Sequence, residues 1–117
     1  MNSVHGPKGN HGDVRATIEG NVLRVDIDGH FGMGLSFEVR EIIKQGLDSG
    51  IPKIIIDMRH VEYIDSSGIG TLVMAWKGIT GSGGEFEVLG VPENAKRVLN
   101  FPPFSTDGIL VPEVFRD

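Results

Sequence analysis

The chain has 117 residues, no cysteine, and 16 Asp+Glu against 11 Lys+Arg, for a formal charge of −5. That length holds one domain with a modest core; the lack of cysteine excludes disulfides, thiolate zinc sites and a thiol nucleophile; the acidic balance argues against direct nucleic-acid binding. Glycine, at 17 residues, is about double its usual share yet follows no repeat, which excludes a collagen-like period.

Residues 1–12 are polar, glycine-rich and aperiodic, and are expected to form a flexible arm before a single domain over 13–117. They lack the apolar stretch of a signal peptide, and no twenty-residue apolar span follows, so the expectation is a cytoplasmic protein without membrane insertion. His5 and His11 lie in the arm and are assigned no metal.

Two alternating stretches follow, Val14, Ala16 and Ile18, then Val22 or Leu23, Val25 and Ile27, separated by Gly20-Asn21. They predict two strands and a tight turn. The segment Gly29 to Gly34 is expected to break regular structure. Leu35, Val39, Ile42, Ile43 and Leu47 then recur at helical spacing, and Gly50 is placed to stop that helix. Lys53 to Met58 contains an apolar run rich in β-branched residues, which predicts a central strand buried on both faces. Arg59 to Ile64 is expected as a loop or short extended piece.

After Asp65-Ser66-Ser67-Gly68, the residues Ile69, Leu72, Val73, Trp76 and Ile79 or Thr80 give a second apolar stripe, closed by Gly81-Ser82-Gly83-Gly84. Glu85 to Val91 alternates as a strand. Pro92 to Leu99 predicts a short helix with proline in its first turn, and Phe101-Pro102-Pro103-Phe104 ends it. Gly108 to Val111 predicts a last strand. The succession β-β-α-β-α-β-α-β implies an α/β fold, a mixed sheet with helices packed against it and right-handed crossovers.

The tetrapeptide Asp65-Ser66-Ser67-Gly68 opens a helix after a buried strand. Asp65 or Ser66 suits an N-cap, and a hydroxyl held there is also within reach of a kinase, whose product adds about −1.5 to −2 charges. A hydrolase nucleophile fits poorly. The elbow motif needs glycine two residues before the serine, where Ser67 has Asp65 and Ser66 has Ile64. Gly68-x-Gly70 stops short of a dinucleotide fingerprint because Val73 stands where the third glycine belongs. Asp57, Glu62 and Asp65 lack calcium-loop spacing and are read as surface charges. Phe31, Met33 and Leu35 either form an apolar patch for a partner or fold inward, and Trp76 is read as a core or half-core aromatic.

The string Ile54-Ile55-Ile56-Asp57-Met58, then Val61-Glu62-Tyr63-Ile64-Asp65-Ser66-Ser67-Gly68-Ile69-Gly70, a helix, and Gly83-Gly84-Glu85-Phe86 resembles the STAS domain of bacterial anti-sigma factor antagonists. The resemblance covers about Val22 to Val111. It implies a non-enzymatic protein without cofactor, in which Ser66 is phosphorylated by an anti-sigma factor that is also a serine kinase. Asp65, Ser66, Ser67 and Gly68 would form the partner-binding loop, with Phe31 and Met33 as further candidates. The unphosphorylated form would hold the kinase and free a sigma factor; phosphate on Ser66 would end binding, and a metal-dependent serine phosphatase would reset it. The chain stops where many relatives have a final helix, which leaves a sheet face or edge open to a second copy. The resemblance also admits a scaffold role without phosphate turnover, in a lipid transporter or a stress-sensing assembly.

Overall fold

The computed structural model describes residues 4–5 and 12–95. Within them the chain forms β1 (Val4–His5), β2 (Asp13–Glu19), β3 (Val22–Phe31), α1 (Met33–Asp48), β4 (Lys53–Ile64), α2 (Ser66–Gly81) and β5 (Glu85–Leu89), followed by a helical turn over 93–95. The strands make one sheet in the order β1-β2-β3-β4-β5. β2 runs antiparallel to its neighbours β1 and β3, while β3, β4 and β5 are parallel, linked by α1 and α2. This is the mixed α/β sheet that the periodicity predicts.

Alternation explains which side carries the core. Val14, Leu23, Val25, Ile27, Ile54, Ile56, Phe86 and Val88 point to one face, where they meet the stripes Leu35, Val39, Ile43 of α1 and Leu72, Ala75, Ile79 of α2. The opposite face carries Arg24, Asp26, Lys53, Asp57 and Glu87, joined in ion pairs. Asp57 is therefore no surface charge. It is 6% exposed and takes Arg24 at 2.5 Å and Arg59 at 2.6 Å on Oδ2. The Arg59 hydrogen bonds, opposed in part by burial, bring its carboxyl down to about 2.

Three segments depart from the sequence reading. The glycine-rich stretch after Asp28 does not interrupt the fold: β3 continues through Gly29 to Phe31, and Gly32 alone separates it from α1. Arg59 to Ile64 belongs to β4, where the register with β3 shifts between Asp26 and Asp28 and again between Gly29 and His30. Each shift inserts one residue into β4, so its buried residues Met58, Val61 and Ile64 fall three apart and hide the strand period. Val4–His5, expected within the arm, pairs with the start of β2. The rest of the third helix after residue 95, the Phe101–Phe104 corner and the strand expected over Gly108 to Val111 lie outside the described residues.

Candidate functional site

Parallel strands β3 and β4 end side by side, and each feeds directly into a helix, so the N-termini of α1 and α2 lie together at one end of the sheet. Asp65 stands between them. As N-cap of α2, its Oδ1 accepts hydrogen bonds from the amides of Ser67 at 2.9 Å and Gly68 at 3.2 Å, and from the Ser67 hydroxyl at 2.7 Å. Its Oδ2 accepts the Met33 amide in the first turn of α1, at 3.3 Å. One carboxylate thus serves two helix starts, and α1 has no side-chain cap of its own. The Ser67 hydroxyl above all, with the amides of Gly68, Ser67 and Met33, holds the Asp65 carboxyl below the usual range against burial, which opposes them and is second in size only to the Ser67 hydroxyl.

Two glycines make this approach feasible. A Cβ on Gly32 would come within 2.5 Å of Asp65 Oδ2, and one on Gly68 within 2.5 Å of the Phe31 carbonyl and 2.7 Å of Ile64 Cγ1. Phe31 enters the site through its backbone: its carbonyl accepts the Asp65 amide at 3.2 Å, while its ring is fully buried. The expected apolar patch therefore divides. Phe31 and Leu35 fold inward and offer no surface, whereas Met33 is 78% exposed beside the Asp65 contact.

The two serines differ sharply. Ser67 is half-buried and donates its hydroxyl to Asp65. Ser66, the first residue of α2, is exposed, and its side chain makes no hydrogen bond among the described residues. The site holds a free hydroxyl next to a fixed carboxylate and an exposed apolar side chain.

Further residues complete the setting. Asn94 brackets the backbone of Ile64, donating to its carbonyl at 2.8 Å and accepting its amide at 3.4 Å, where β5 no longer reaches β4. Arg40 of α1 donates to the Thr71 hydroxyl at 3.1 Å, which donates to the Ser67 carbonyl at 2.9 Å, tying the two helices below the site. His30 and Tyr63, register partners on β3 and β4, meet edge to face at 5.1 Å, and a Cβ on Gly32 would touch His30 Nε2 at 3.0 Å. These residues escape sequence reading because their partners lie 30 or more positions away. Among the described residues no group of His, Asp and Glu is placed to hold a metal ion, and no helix is long and apolar enough to cross a membrane.

A family model described as STAS domain matches residues 13–107. Among solved structures, the chain is similar to the anti-sigma factor antagonist SpoIIAA in its unphosphorylated form, at 17% identity and a TM-score of 0.69 over 78% of this chain and 84% of that one. The Bacillus cell fate determinant SpoIIAA in its phosphorylated form matches at 16% identity and a TM-score of 0.71, covering 80% of this chain and 86% of that one. An anti-sigma factor antagonist from Mycobacterium paratuberculosis matches at 20% identity and a TM-score of 0.67, covering 94% and 98%. At these identities the likeness is one of fold.

Proposed function

The chain belongs to the STAS domain family, and on that premise we propose that it is an anti-sigma factor antagonist switched by phosphorylation of Ser66. The observation that carries this reading is the contrast within the serine pair: the Ser66 hydroxyl is exposed and unbonded, while that of Ser67 is held by Asp65. A kinase acts on the hydroxyl it can reach.

In the unphosphorylated state, the surface of Ser66, Met33 and the α2 N-terminus docks on an anti-sigma factor that is also a serine kinase, and a sigma factor is released. The kinase then transfers the terminal phosphoryl group of ATP to Ser66 Oγ. Helix N-termini ordinarily welcome phosphate through unpaired amides. Here Asp65 already occupies the amides of Ser67 and Gly68, so the new dianion stays outward, next to a carboxylate, where an interface would have to bury it without a cation. A loss of about 4 kcal/mol corresponds to about a thousandfold weaker binding. A metal-dependent serine phosphatase restores the hydroxyl, and the whole cycle runs in the cytoplasm. The protein serves as substrate and binding partner, not as catalyst.

The test is peptide mapping of protein isolated from its own cells in growth and under stress, together with binding of the kinase co-purified from them. The reading expects phosphate on Ser66 whose occupancy changes between conditions, full binding by Ser66→Ala and loss of binding by Ser66→Asp. Phosphate on Ser67 would overturn the residue assignment. Equal binding by Ser66→Asp and the parent would overturn the switch.

A further inference from the structure

Below Ser66, the guanidinium of Arg40 is only partly committed. Arg24 and Arg59 are both taken up by Asp57 on the open face of the sheet. Arg40, exposed on α1, forms no ion pair among the described residues. Its hydrogen bond runs from Nε to the Thr71 hydroxyl at 3.1 Å, and Thr71 is fully buried and fixed in turn by donating to the Ser67 carbonyl. The side chain is therefore pinned at Nε against α2, while its two terminal nitrogens have no partner among the described residues.

The end of that guanidinium lies about one helical turn from Ser66. A Cβ on Gly70 would come within 3.4 Å of Arg40 Nη2. Ser66 and Gly70 stand four positions apart in α2, so they share one side of the helix, with Cβ positions about 5–6 Å apart. Gly70 has no side chain to fill the space between Arg40 and Ser66. Helical side chains lean towards the N-terminus, and α1 and α2 begin at the same end of the sheet, so Arg40 extends from α1 towards the start of α2.

We propose that Arg40 is the counter-ion of a phosphate on Ser66, its terminal nitrogens taking two phosphate oxygens while Nε stays on Thr71. The proposal rests on the reading that Ser66 is phosphorylated, and adds the group that receives the phosphate. Arginine suits the task because its planar fork matches phosphate with two parallel hydrogen bonds, and the bond to Thr71 restricts the side chain before any phosphate arrives. Asp65 at the cap of α2 repels the phosphate, and Arg40 of α1 attracts it. The other titratable group at this end is His30, whose Nε2 borders Gly32 together with Asp65 Oδ2.

One cation against about two negative charges leaves the pair anionic. A partner that covers Ser66 would have to strip the phosphate from Arg40 and bury it bare, or bury the pair with its surplus charge. Both are costly. In the free chain the same contact bridges α1 and α2, so the phosphorylated form is stabilised when alone and disfavoured when docked.

The test uses the full chain with phosphoserine installed at position 66 during synthesis, so that the contact is read whether or not a kinase acts there in cells. In a phosphorus NMR titration, the second ionisation of the phosphate should lie about 0.5–1 pH unit lower in the parent than in Arg40→Gln, since a nearby cation favours the dianion. His30 and Asp65 are the same in both proteins, which leaves Arg40 to account for the difference. Lys44→Gln removes a positive charge one turn further along α1, and should move the titration by less than about 0.2 pH unit. The Arg40 Nε–H signal of the parent gives a readout without substitution: it should shift as the dianion forms, while those of Arg15 and Arg24 stay in place. Circular dichroism confirms that each variant folds. Equal titrations in the parent and Arg40→Gln would overturn the proposal. So would an effect of Lys44→Gln as large as that of Arg40→Gln, or an Arg40 signal that moves no more than that of Arg15. The switch itself is judged separately, on phosphate occupancy in cells and on binding by Ser66→Asp.

Discussion

The helices α1 and α2 are both 16 residues long and both rise from the ends of neighbouring parallel strands, yet they begin in opposite ways. α2 starts on Asp65, whose side chain takes two of its first amides; α1 starts on Gly32, with no side-chain cap. What α1 lacks is supplied in part by the same Asp65, through Met33. The inequality teaches where the site is vulnerable. A start capped from within its own turn survives changes elsewhere, whereas a start that borrows its partner is lost with the lender.

Acid is the broadest way to break this arrangement. Asp57 and Asp65 both have carboxyl groups lowered by their partners in the folded state. Each contributes stability that is complete above the ordinary carboxylate value of about 4 and disappears as pH falls through its folded value. Stability measured by urea unfolding should therefore fall steadily from about pH 5 towards about pH 2, with Asp57, lowered to about 2, setting the lower end. Asp57→Asn should flatten that slope.

Gly68→Ala comes next. Its added methyl meets a backbone carbonyl, which cannot swing aside as a side-chain tip can. The expected loss is about 2–3 kcal/mol even after the helical preference for alanine is counted. Asp65→Ala should cost about 1–2 kcal/mol. Its sharper signature is hydrogen exchange: the amides of Ser67, Gly68 and Met33 should all exchange faster, although Met33 lies in the other helix. Unchanged exchange at Met33 would show that α1 does not depend on the borrowed carboxylate. The smallest effects separate the serines. Ser67→Ala should lose about 1 kcal/mol with its bond to Asp65, while Ser66→Ala should stay within about 0.5 kcal/mol of the parent in thermal or urea unfolding.

Much of this arrangement is legible in local pattern. The stripe from Leu35 to Leu47 and that from Ile69 to Ile79 mark both helices, and the β-branched run after Lys53 marks the central strand. Asp65 is legible as a cap because capping is decided by residues two and three positions on. Other features are not local. Whether Phe31 or Met33 faces solvent depends on where β3 ends, and the glycines around them signal a turn at several places. Asp57 looks like an exposed charge until Arg24, 33 positions away, is folded beside it. Asn94 has no pattern at all, since its partner is the backbone of Ile64. The second half of β4 does carry a clue, the three-residue spacing of Met58, Val61 and Ile64, but that rhythm fits neither a plain strand nor a helix.

That rhythm also fixes an address. β3 covers its length in 10 residues and β4 in 12, and the two inserted residues bring Ile64 level with Phe31 so that Asp65 arrives where its amide meets the Phe31 carbonyl. The Ser66 hydroxyl is thus located by counting along β4. Were one of the two register shifts ironed out with the sequence kept, Tyr63 would stand level with Phe31 and Ile64 would arrive in the seat of the carboxylate. The cap shared by the two helices thus depends on two irregularities inside β4 and not on the residues of the cap alone.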